Sequence, residues 1–152
     1  MKAIKIIIAG LVLIFIGVQF IPTGIPENKS DEGKSIVNDS LINSPVLEQF
    51  RKSCFDCHSN QVNLPWYSKV APSSWLLAGH INEGRSYLNF SEWGAYSTRE
   101  KIGLLEDIRD EVSAGKMPLK SYLLVHGEAR LDSAQKSSIL KWVDDTSSRI
   151  LE

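Results

Sequence analysis

The run Cys54-Phe55-Asp56-Cys57-His58 constrains this chain more than any other feature. It holds both cysteines of the 152-residue sequence and one of its three histidines. On a helix, residues three or four apart share a face, so this spacing directs two thiols and an imidazole towards one place. The rest of the chain supplies a modest frame for it. At 43% apolar composition it fits one domain with a small core. Helix formers dominate, and no segment alternates apolar and polar residues over a strand's length, so an all-α fold is expected.

The chemistry that needs these residue types in this order is the attachment of a c-type haem. Two thiols one helical turn apart can each add to a vinyl group, and the next residue can then reach the iron axially. Cys54 and Cys57 would form the thioethers, and His58 would be the proximal ligand of one covalent haem c. The rival readings are weaker. A structural zinc site needs four donors, and His80 and His126 are far apart with no third cysteine to help. A redox dithiol calls for a βαβ context that is missing, and a plain disulfide leaves the adjacent histidine without a purpose.

The amino terminus points to a membrane. Met1 to Ile21 carries Lys2 and Lys5 and then an apolar run from Ile6 broken only by Gln19. A helix from Ala3 to Ile21 would be about 28 Å long, close to the hydrocarbon thickness of a bilayer. The lysines precede the run, which puts the domain outside the cytoplasm, as in a periplasm. The run ends in Val18-Gln19-Phe20-Ile21-Pro22, with none of the small residues a cleavage site wants, so an uncleaved anchor is expected. Removing this segment leaves 15 basic against 18 acidic residues, a balance that argues against nucleic acid as a partner. The expected organisation is a membrane helix over 1–21, a flexible Pro, Gly, Asn and Ser-rich tether over 22–44, and a haem-binding domain over 45–152.

Within the domain, Ser44 and Pro45 mark a helix start running through Val46, Leu47 and Phe50 into the cysteine motif. A second helix is expected from Pro72 towards Gly84. Ser97 and Glu100 form a capping box opening a third helix that stops at Gly115, and Asp132 with Gln135 opens the last. The long aromatic loops between these helices suggest that a flat cofactor packs beneath them.

The sixth iron position has several candidates. Met117, in Ala114-Gly115-Lys116-Met117-Pro118, is the only methionine besides the initiator and follows a helix stop. Its thioether would favour ferrous iron and raise the potential. His80 is the main rival, His126 reads more readily as a turn residue, and an open position is the remaining choice.

These residues resemble a known pattern. A helix, Cys-x-x-Cys-His, aromatic loops, Met-Pro and a capped last helix look like a class I cytochrome c. The match is closer to the short bacterial haem-binding domain family. It is carried by Cys54 to Asn60, Pro65-Trp66-Tyr67-Ser68, Val70-Ala71-Pro72, Ser74-Trp75, Glu83-Gly84-Arg85, Leu88-Asn89-Phe90-Ser91-Glu92-Trp93 and Met117 to Tyr122. The resemblance implies haem binding and, from class I relatives, His–Met ligation. It also implies crossing first and last helices in contact through Phe50 and Trp142. A carbonyl at Pro65 or Leu64 would hold the proximal imidazole. Asn89, Ser91 and Glu92 would be a loop scaffold or part of a distal pocket.

Three functions remain at this point. The first is a membrane-tethered one-electron carrier whose redox partners the residues do not name, with an acidic docking face on Glu106, Asp107, Asp110 and Glu111. The second is a haem sensor or peroxidase-like enzyme with a displaceable sixth ligand and His80 or Glu92 as distal acid–base groups. The third is an interaction module independent of haem.

Overall fold

The computed structural model describes residues 1–30 and 33–152. Among the described residues the regular elements are helices and no strand is formed. In chain order the α-helices are α1 (Lys2–Val18), α2 (Ser44–Ser53), α3 (Phe55–His58), α4 (Ser73–Tyr87), α5 (Thr98–Ser113), α6 (Lys120–Leu123) and α7 (Ser133–Leu151). Short 3-10 turns at Ile36–Asn38, Trp66–Lys69, Phe90–Ala95 and Gly127–Ala129 join them.

The helix starts follow from their caps. Asn43 rather than Ser44 caps α2, its side chain accepting from the Val46 amide at 3.1 Å. The two capping boxes form as the residues predict, Ser97 with Glu100 at α5 and Asp132 with Gln135 at α7. Gly115 takes a φ of 65° just after α5, a left-handed conformation that costs other residues more.

The principal core lies where α2, α5 and α7 meet the turn Phe90–Ala95. α5 and α7 pack along one another, with Arg109 paired to Asp144. Phe50 of α2 meets Trp142 of α7 edge-on at 5.2 Å between ring centroids, so the aromatic crossing of the first and last domain helices is present. Phe90 stacks on Phe50 at 4.9 Å and on Phe55 at 5.4 Å, which joins the cysteine-bearing helix to this core. A second, smaller cluster is built from Val62, Leu77 and Ile81, with Ile25 and Tyr67 against it.

The segment expected to be a flexible tether is instead packed along the domain, apart from residues 31 and 32 of that stretch, which lie outside the described residues. Ile25 joins the smaller cluster and Ile36 is completely buried in the larger one. Asp39 accepts from the Trp93 indole at 2.8 Å, and the Leu41 carbonyl accepts from the Trp142 indole at 3.0 Å. Polar composition suggested solvation, but these side chains and carbonyls are spent on the domain. The domain's core therefore draws on residues well before 45.

The amino-terminal helix also differs from expectation. α1 ends at Val18, and 17 residues give a helix of about 25 Å, shorter than a typical hydrocarbon core. Among the described residues no helix is long and apolar enough to cross a membrane. Just past the end of α1 the Gln19 side chain bridges the Phe15 carbonyl, at 2.9 Å, and the backbone of Ala71. Its Nε2 donates to the Ala71 carbonyl, and its Oε1 accepts from the Ala71 amide at 2.9 Å.

Candidate haem-attachment site

α2 and α3 are nearly continuous, with a break at Cys54, whose φ and ψ of −129° and −39° leave the helical region. The amides of Cys57 and His58 both donate to the Cys54 carbonyl, at 3.1 and 2.9 Å. This single turn brings Cys54, Cys57 and His58 together, each half-buried and both cysteines as free thiols.

α4 crosses α3 at very short range, and Gly84 makes that possible. A Cβ there would come within 2.7 Å of the Cys57 carbonyl oxygen. The approach carries the end of α4 to the imidazole, and His58 Nδ1 lies 3.1 Å from the Leu88 carbonyl. Leu88 caps α4 in an extended conformation, so its carbonyl is free of the helix and can accept from outside it. The sequence-based choice of Pro65 or Leu64 for this bond is therefore corrected to Leu88. With Nδ1 engaged, Nε2 is the ring nitrogen left for a metal. Burial pushes the His58 pKa down, while the Leu88 and Gly84 carbonyls act in the opposite direction.

The stretch after Leu88 is a scaffold. Asn89 Nδ2 donates to Asn60 Oδ1 at 2.8 Å and to Glu92 Oε1 at 3.2 Å, while its Oδ1 accepts from the Ser91 amide. Ser91 Oγ accepts from the Asn60 amide at 3.0 Å. Asn60, Asn89 and Ser91 are buried, so these bonds replace water that the groups have lost. They fix the chain two residues beyond His58 to the chain just after Leu88, and so hold the ligand and its carbonyl partner in register.

A second polar group lies on the cysteine side and was not found from the sequence. Asp56, between the cysteines, accepts from the Tyr122 hydroxyl at 2.8 Å and from the Asn63 amide at 3.1 Å. The Tyr122 ring stacks on His126 at 4.3 Å, and His126 Nε2 lies 2.8 Å from the Tyr67 hydroxyl. Burial, with the Asp56 carboxylate second, raises the Tyr122 pKa far above the usual phenol range. The quoted Pro-Trp-Tyr and Ser-Tyr stretches hold both tyrosines, but nothing in their local pattern names Asp56 as the partner.

Met117 stands half-buried in the turn after α5, where its amide donates to the Glu111 carbonyl at 3.2 Å. The same loop runs on into α6, whose Tyr122 reaches Asp56, so the loop is tied to the cysteine face. His80 sits on α4 at the edge of its buried side, on the flank shared with exposed Leu76 and Tyr87. His126 is engaged by Tyr67, Tyr122 and Glu128.

The donor set fits a haem. Burial first, and then the neighbouring thiol, pushes Cys54 up to about 12. Burial and then Asp56 push Cys57 up to about 11, against an opposing pull from Arg85. Thioether bonds would replace both thiols with uncharged sulfur, which suits so desolvated a place. Among the described residues no group of three or more His, Cys, Asp or Glu side chains is placed to hold a bare metal ion. Arg85 anchors its Nε on the Ser59 carbonyl at 2.7 Å, while its Nη2 is buried with no hydrogen-bond partner among the described residues. A carboxylate-bearing cofactor would answer that nitrogen.

A small helical frame presenting one imidazole beside two free thiols points to a class: a helical haem-binding domain. The comparison with protein families makes this specific. The model of the haem-binding domain family matches residues 13–145, and the chain belongs to that family. No curated protein and no solved structure matches it.

Proposed function

We propose that the chain is a c-type haem protein that carries single electrons, attached to a membrane through α1 with its haem domain outside the cytoplasm. Cys54 and Cys57 would hold the haem through thioethers, His58 would bind the iron axially, and Met117 would supply the sixth ligand. One-electron exchange is the chemistry that such a group supplies when bound.

The observation that carries this reading is the single turn in which two free thiols stand beside an imidazole whose Nδ1 is already engaged by Leu88. That bond orients the ring and makes Nε2 a stronger donor. Phe55 and Phe90 form the apolar wall behind it, the Phe90 ring lying 6.4 Å from that of His58. Met117 is supported by its place in the loop that Tyr122 ties to Asp56.

The sensor or peroxidase reading has less support. Glu92 is bonded to Asn89 within the scaffold, and His80 lies on the flank of α4. The membrane part rests on the exposed apolar stretch that runs through α1 and past its end to Phe20 and Ile21, with Lys2 and Lys5 at its start.

Optical and magnetic spectra of the purified holoprotein test the proposal. A low-spin His–Met spectrum in both redox states, with no carbon monoxide binding to the ferrous form, is expected. A high-spin ferric spectrum or rapid carbon monoxide binding would overturn the carrier reading in favour of the sensor.

A further inference from the structure

The segment Gln19–Lys29 is a clasp. Two side-chain amides each pair with both backbone groups of one residue, much as a neighbouring strand would. Gln19 does so with Ala71, and Asn28 with Val62, at 3.0 Å to its carbonyl and 2.9 Å from its amide. Between these pins Ile25 packs into the cluster of Val62, Leu77 and Ile81, and the Gly24 carbonyl accepts from Asn82 at 3.1 Å. Beyond the second pin the Lys29 amide donates to the Asn60 carbonyl at 3.0 Å. The point where α1 leaves the domain is thereby fixed at Ala71.

The surface around that point has its own character. Phe20, next to Gln19, is 83% exposed. Trp66 and Leu76, each five residues from Ala71 and so within roughly 17 Å of it by chain reach, are 80% and 59% exposed. Lys69 is exposed between them. Aromatic, aliphatic and basic side chains grouped at the end of an apolar helix are the residues that settle at the level of lipid headgroups. Phe20 and Ile21 carry the apolar exposure of α1 on past Gln19.

We propose that the haem domain is held in one orientation against a phospholipid surface, with Phe20, Trp66, Lys69 and Leu76 at headgroup level, and does not swing on its linker. This rests on the reading of α1 as lipid-embedded. Its consequence is that the cysteine turn is kept at a set height, because Asn28 pins the clasp to Val62, four residues beyond His58.

The test uses full-length holoprotein in vesicles of phosphatidylethanolamine and phosphatidylglycerol. A photoreactive p-benzoylphenylalanine replaces Trp66 in one sample and Asp107 of α5 in another, and adducts are identified by mass spectrometry. Four amide–backbone bonds acting together bias the clasped state by about tenfold or more, so position 66 should give at least that excess of lipid adduct over position 107. The double variant Gln19→Ala/Asn28→Ala should lose the excess while still sedimenting with the vesicles. Equal lipid adducts at 66 and 107 on vesicle-bound protein would overturn the fixed orientation. So would an adduct at 66 with the haem or with a second copy of the chain. Failure to sediment with vesicles at all would instead remove the lipid reading of α1, and this inference with it.

Discussion

Gly84 lies so close to Cys57 that a single added carbon would sit 2.7 Å from the Cys57 carbonyl oxygen. Two helix backbones meet there, and neither can turn aside as a side chain would. The contact is what lets α4 deliver the Leu88 carbonyl to His58. Gly84→Ala should force the helices apart at a cost of about 1–3 kcal/mol. That corresponds to a melting temperature lowered by roughly 2–12 °C for a chain of this size. The yield of holoprotein should fall as well. Thermal melts and haem-to-protein ratios that match the wild type would show that α3 and α4 can separate freely.

The buried bonds around Asn60 make a second prediction. Ser91→Ala would leave the Asn60 amide buried and without its acceptor, and such a loss costs about 1–3 kcal/mol. Asn89→Ala should cost at least as much, because three hydrogen bonds go at once. Denaturant unfolding of the holoprotein measures both. Wild-type stability in either variant would make the scaffold role untenable.

The cysteines can be separated from each other. Cys54→Ala and Cys57→Ala should each leave one thioether, with a red-shifted reduced pyridine haemochrome band and a poor yield. His58→Ala should stop maturation. A normal haemochrome in either cysteine variant would mean that the missing sulfur was never bonded.

Met117→Ala should keep the covalent haem while losing low-spin character and lowering the reduction potential, since the thioether ligand favours ferrous iron. An unchanged visible spectrum and potential would move the sixth ligand to His80.

What the sequence revealed, and what it hid, divides by the range of the interactions. The capping boxes of α5 and α7 were legible because cap and partner are three residues apart. The cysteine turn was legible for the same reason. The helix start at α2 slipped by one residue because Asn43 and Ser44 are both good caps and a local pattern cannot rank them. Leu88 was not legible as the partner of His58. It is 30 residues away and acts through its backbone, so its side chain carries no sign of the role.

The linker misled for a related reason. Its Asn, Gly and Pro content reads as a solvated tether, yet Asn28 and Gln19 use their amides on distant backbone groups that composition cannot display. Ile25 and Ile36 were the available hint, two apolar residues in a polar stretch that must bury them somewhere. The scaffold role of Asn89, Ser91 and Glu92 was one of two readings, and the bonds of Asn89 and Ser91 to Asn60 support it.

The intact mass of protein made in a host able to attach haem tests the central claim most directly. A polypeptide heavier by one haem, with the adduct on the peptide containing Cys54 and Cys57 and resistant to acid–acetone extraction, is the predicted result. A bare polypeptide mass, or a haem that extracts freely, would contradict it.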